Sequence, residues 1–106
     1  MPTLHLNLKK KWFDMIASGE KKEEYREIKT YWSRIFGPGI KVKGKVYYPS
    51  DVIICFSNGY AANRSQMLVE CKYLSTKTGN PKWGAIENQC YYVLTLGKVE
   101  MITPKQ

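Results

Sequence analysis

Long apolar runs are missing from this chain. The longest are a few residues, too short to span a bilayer as a helix. No leader-like segment opens the sequence, so a cytoplasmic protein is expected. Histidine is nearly absent: His5 stands alone, with no partner motif. The three cysteines, Cys55, Cys71 and Cys90, are far apart, odd in number and lack any C-x-x-C pair. That argues against a zinc site and against a disulfide framework. Each cysteine lies in an apolar run, which predicts three buried, reduced thiols. Acidic residues are also scarce, 9 against 17 basic ones, for a net charge of +8. Such a balance favours polyanionic partners (RNA, DNA, nucleotides or an anionic surface); the alternative is a merely soluble basic domain.

What the chain does have is enough apolar residue to fold, 43% over 106 residues, and that length predicts one domain over residues 1–106. It also has eight tyrosines and three tryptophans, more rings than so small a core needs. Some of them should line a surface.

Leu4, Leu6 and Leu8 alternate with polar residues and predict a strand with the leucines inward. Trp12, Phe13 and Ile16 fall on one side of a helix and are assigned to the core; Ser18-Gly19 ends that helix. Lys21 to Ile28 then reads as extended, and Thr30 to Phe36 as a second short helix that puts Tyr31, Trp32, Ile35 and Phe36 on one face. Gly37-Pro38-Gly39 terminates it. Ile40 to Tyr48 carries a basic stripe, Lys41, Lys43 and Lys45, on a strand or a loop. Val52 to Phe56 has the continuous apolar character of a central strand. Ser57 to Tyr60 is a turn, followed by a loop with Arg64. Met67, Val69, Cys71 and Tyr73 should share one face of a long strand. Ser75 to Trp83 reads as a polar loop, and Cys90 to Leu96 as the last strand, which Gly97 to Ile102 extends or pairs back on. The sum is an α+β, mainly β fold: five or six strands with two short helices near the N-terminus, in a small closed or nearly closed barrel.

The densest chemistry lies between Gly19 and Arg26, G-E-K-K-E-E-Y-R. In a strand, Lys22, Glu24 and Arg26 share a face, and a bend after the glycine lets Lys21 join them. A Glu24–Arg26 pair would fix both side chains and leave Lys21 as the free cation. Desolvated, Lys21 would serve as a base; charged, it would hold a phosphate or a carbonyl oxygen. Glu24 suits an exocyclic amine such as that of cytosine. Tyr25, Trp32, Tyr60 and Trp83 are the candidate stacking rings. The plain alternative is an ion pair that only joins strand to helix.

Gly19-x-Lys21-x-x-Glu24-x-Arg26 resembles the G-x-K-x-x-E-x-R signature of the ASCH domain family, which belongs to the PUA-like β-barrels. The flanking strand and helix, the aromatic helix after it, Asn58-Gly59-Tyr60 and Trp83-Gly84 extend the resemblance over nearly the whole chain. It implies binding of RNA or of a modified nucleoside or nucleotide in a cleft beside the motif. Resemblance and residue reading together make Lys21, Glu24, Arg26, Asn58, Tyr60, Arg64 and Trp83 the candidate ligand-binding residues, and no cofactor, metal or membrane is expected. One branch of the family hydrolyses N4-acetylcytidine, and another is linked to ribonuclease activity. In the amidohydrolase branch the lysine works with a threonine and a distant glutamate. Lys21 matches the lysine, Glu24 stands at the threonine position, and Glu70 and Glu87 are candidates for the distant glutamate. If the protein is an enzyme, Lys21 and Glu24 are its expected catalytic pair, with Ser57 or Ser65 approaching from another loop. A third reading is a protein-interaction domain that meets its partner through an aromatic patch.

Overall fold

A computed structural model describes residues 1–102. Seven strands and two α-helices follow in the order β1 (Thr3–Leu8), α1 (Lys10–Ala17), β2 (Glu23–Glu27), α2 (Thr30–Phe36), β3 (Ile40–Val42), β4 (Lys45–Tyr47), β5 (Ile53–Asn58), β6 (Gln66–Thr78) and β7 (Cys90–Ile102). The fold is α+β and mainly β. No helix among the described residues is long and apolar enough to cross a membrane.

Five strands form one sheet in the order β1-β5-β6-β7-β2, and β3 and β4 form a separate hairpin. The β1–β5 pair is parallel and the other pairs are antiparallel. The apolar run Val52 to Phe56 falls almost wholly in β5, which is an interior strand, as its composition predicts. The two outer strands, β1 and β2, have no ladder between them, so strand pairing does not close the sheet into a barrel. What does cross from β2 to β1 is a side chain: Arg26 Nη2 donates to the carbonyl of Asn7 at 3.1 Å.

The core follows from the alternation. Leu6 and Leu8 turn inward from β1 and meet Ile54 and Phe56 of β5, Met67 and Val69 of β6, and Leu94 and Leu96 of β7. Helix α1 buries Phe13 and Ile16 on this core, one turn apart, each worth about 1.5–3 kcal/mol of apolar burial. Lys10 and Asp14 pair on its exposed side. Helix α2 buries Phe36, while Trp32 and Ile35 pack at the core's edge. Tyr31 departs from the helical-face expectation and stands exposed.

Other departures have local causes. The β6–β7 register shifts between Val69 and Cys71 and again between Cys71 and Tyr73. These irregularities re-aim the alternation, so Met67, Val69 and Cys71 are buried but Tyr73 is exposed. The supposed polar loop from Ser75 begins later, because Ser75 to Thr78 continue β6 and pair with Cys90 to Val93. Strand β7 runs on without a break to Ile102. The basic stripe is a hairpin whose two turn residues, Lys43 and Gly44, both have positive φ, at 50° and 82°. That is the primed-turn geometry whose twist matches the flanking strands.

The three thiols are not alike. Cys55 and Cys71 are buried, but Cys90 at the start of β7 is exposed, against expectation. Burial pushes the Cys71 thiol up to about 11 and raises that of Cys55. Since the thiolate is the nucleophile, a chromogenic aromatic disulfide should modify one thiol per folded chain, Cys90, and reach the other two only in denaturant. Rapid modification of Cys71 would show that the sheet's inner face, where it is packed, opens readily.

Candidate functional site

Gly19 begins the site. It has φ +84°, where other residues are strained, and it stops α1 with its N–H bonded to Ile16 O. The reversal brings Lys21 back under the helix, where its N–H donates to Met15 O at 2.9 Å. Strand β2 begins two residues later, and Lys21 points inward although it lies outside the strand. The bend thus adds Lys21 to the set formed by Glu24 and Arg26.

These three side chains form a chain of ion pairs. Lys21 Nζ lies 2.8 Å from Glu24 Oε1, and it also donates to the Glu23 carbonyl. Glu24 Oε2 accepts from Arg26 Nη2 at 2.6 Å. Lys21 is 2% exposed and Glu24 6%, so both charges are removed from water and depend on each other. Desolvation lowers the Lys21 pKa; the attraction and hydrogen bond of Glu24 oppose the shift without cancelling it. Lys21 also sits 5.1 Å from the centre of the Tyr25 ring. Lys21 is not a free cation, since Glu24 bridges it to Arg26. With two cations on one carboxylate, the cluster carries one excess positive charge.

Arg26 makes further contacts. Its guanidinium lies 4.8 Å from the centre of the Trp32 ring, a cation–π contact. Its Nε is buried and has no partner among the described residues. Behind the cluster, the Tyr25 hydroxyl donates to Glu23 Oε1 at 2.7 Å and accepts from the Asn80 N–H at 2.9 Å. Burial and the Glu23 hydrogen bond together hold that phenol protonated well above the usual tyrosine range. Lys77 completes the support with a 3.0 Å pair to Glu23.

A cavity of about 510 Å³ opens over Glu24 and Arg26. It lies where the sheet fails to close: Asn7, Leu8 and Lys9 at the end of β1 form one side, and residues 24–27 of β2 the other. All three tryptophans of the chain, Trp12, Trp32 and Trp83, are in its wall, together with Tyr25 and Tyr91. Trp12 is half-buried and belongs to the cavity as much as to the core, which corrects its assignment to the core alone. Its partner across the wall is Gly84, whose φ is +99° and where a Cβ would come within 2.9 Å of the indole. The Trp83-Gly84 pair therefore supplies one ring and makes room for another.

The remaining sequence candidates divide. Glu24, Arg26 and Trp83 line the cavity, and Lys21 supports it from behind. Asn58 and Tyr60 line a neighbouring hollow of about 370 Å³, which shares Asn7, Leu8 and Lys9 with the cavity. Arg64 does not reach it; its Nη1 bonds to Ala61 O within its own loop. Lys41, Lys43 and Lys45 lie on the β3–β4 hairpin and are not in the wall. Neither Glu70 nor Glu87 lines the cavity. Ser57 is buried on β5 with its hydroxyl bonded to Gln66, and Ser65 is likewise not in the wall. Asn7, Lys9, Gln89 and Tyr91 line the cavity without having been expected there. Gln89 and Tyr91 come from the segment entering β7, and no short motif marks them.

No protein-family model, curated protein or solved structure matches the chain.

Proposed function

We propose that the chain is an RNA- or nucleoside-binding module of the ASCH type, on a PUA-like barrel whose open seam is the binding cleft. One observation carries this reading. The only three tryptophans in the chain and a buried Lys–Glu–Arg cluster are gathered around one cavity. Rings offer flat faces on which any base can stack, whereas the charged pair offers directional recognition of its edge. The Glu24 carboxylate suits an exocyclic amine, and the Arg26 fork suits a carbonyl or a phosphate oxygen. The cavity has the volume of a small-ligand site. It also runs along two strand edges that lack a ladder partner among the described residues, whose backbone groups add donors and acceptors for a base.

Hydrolysis at the same site is the second reading, favoured by the lowered pKa of Lys21. Against it, Lys21 is engaged by Glu24 and by the Glu23 carbonyl and is not in the cavity wall. Nor does the wall hold a serine, threonine, cysteine or histidine among the described residues. Binding without chemistry needs none of these, so it ranks first.

Tryptophan fluorescence tests the reading directly, because every tryptophan is in the wall. Titration with nucleosides and with a short single-stranded RNA should quench and shift the emission, more weakly as salt rises for the RNA. Trp83→Ala should reduce the affinity for both. An unchanged spectrum at millimolar ligand and low salt would remove nucleic acids from the lead. Incubation with N4-acetylcytidine, read for released cytidine, separates binding from hydrolysis.

A further inference from the structure

Beside the main cavity, and distinct from the hollow at Asn58, lies another of about 410 Å³, bounded by His5, Tyr31, Trp32, Tyr60 and the other side of Arg26. Asn7, Arg26 and Trp32 line both spaces, so the guanidinium stands between them. Tyr60 is 85% exposed and Tyr31 61%, and no aromatic partner covers Tyr60 within the described chain. Tyr31 packs edge-on against Trp32, with ring centres 4.7 Å apart. Two exposed rings at the rim of a hollow lined also by Leu4, Leu6 and Ile35 offer flat faces on which a base can stack.

We infer that this hollow is a second nucleotide subsite, so that the ligand is single-stranded RNA rather than a free nucleoside. The inference rests on the reading of the main cavity as a base site. One base lies among the three tryptophans, the next stacks on Tyr60 beside Tyr31, and the linking phosphate passes over Arg26. The charges agree with that path. The Lys21–Glu24–Arg26 cluster keeps one excess positive charge where the phosphate crosses, and exposed Lys9 adds another on the wall of the main cavity. A nucleoside would use the main cavity and leave both the excess charge and the second ring pair idle.

The test compares ligands with equal phosphate count. Each of the four nucleoside 3′-monophosphates is titrated against its homodinucleoside monophosphate, with tryptophan fluorescence as the readout. Stacking of a second base should tighten binding by about tenfold or more. Tyr60→Ala, at a surface position that the fold does not need, should erase that gain and leave the mononucleotide affinity unchanged. Equal affinities of mono- and dinucleotide would overturn the second subsite while the base cavity stands, as would a Tyr60→Ala variant that retains the gain. Absence of binding by every ligand would instead overturn the base cavity, and the second subsite with it.

Discussion

Replacing Glu24 by glutamine should cost about 3–5 kcal/mol of folding stability at neutral pH, the range for breaking a buried ion pair from one side. Lys21 is the reason. At 2% exposure its ammonium has no water to return to, and Glu24 is the carboxylate that bonds it. Glutamine keeps an acceptor oxygen but loses the charge, and it turns an amide donor toward Arg26, which is a donor itself. The loss should also depend on pH in a defined direction. The folded-state pKa of Lys21 is already lowered by burial, and without Glu24 it falls further. In the window between that lowered value and the ordinary lysine value, the unfolded chain holds more protons than the folded one. Stability of the variant therefore rises with pH through that window, toward about 10. Adding Lys21→Met should recover part of the loss and flatten this rise. Urea unfolding at pH 7 and 9.5 measures both effects. A loss under about 1 kcal/mol with no pH trend would mean that Lys21 reaches water or another anion, contrary to the burial described here.

The cluster was legible in the sequence because its parts are local. Gly19, Lys21, Glu24 and Arg26 lie within eight residues, and the glycine stop and strand alternation fix their faces without distant information. The strand pattern of Leu4, Leu6 and Leu8 and the interior character of β5 were readable for the same reason. What the sequence hid depends on distant pairing. The register shifts that expose Tyr73 need β7 beside β6. Ser75 to Thr78 look like a loop until Cys90 to Val93 supply hydrogen bonds. Trp12 satisfies a helical core pattern, and only Gly84, seventy-two positions later, reveals that its ring also forms a cavity wall. The seam itself is a property of the whole sheet, since it arises where the first and fifth strands in space stop short of pairing.

That seam makes Arg26→Lys the sharpest substitution for the ligand. The guanidinium does three things at once: it bonds Glu24, it bonds the Asn7 carbonyl on the opposite edge strand, and it lies against Trp32. A planar fork can do this because its donors diverge from one rigid group. A lysine keeps the charge and its pair with Glu24, but not the flat contact with Trp32 or the fixed reach to Asn7. Affinity for a dinucleotide should fall by about tenfold or more, since an oriented, charge-assisted contact is lost. The salt response separates geometry from charge. With one phosphate on the ligand, log affinity should fall as log salt rises, through ordinary screening. Arg26→Lys should keep that slope despite the weaker binding, whereas Arg26→Ala should lose most of it. Hydrogen exchange adds an independent view, because in both variants the amides at the end of β1 should exchange faster once the link to Asn7 is gone. If Arg26→Lys bound the dinucleotide as tightly as the parent while β1 exchanged faster, Arg26 would be a strap across the seam alone. The phosphate would then have to pass elsewhere, with Lys9 as the other basic residue lining the cavity.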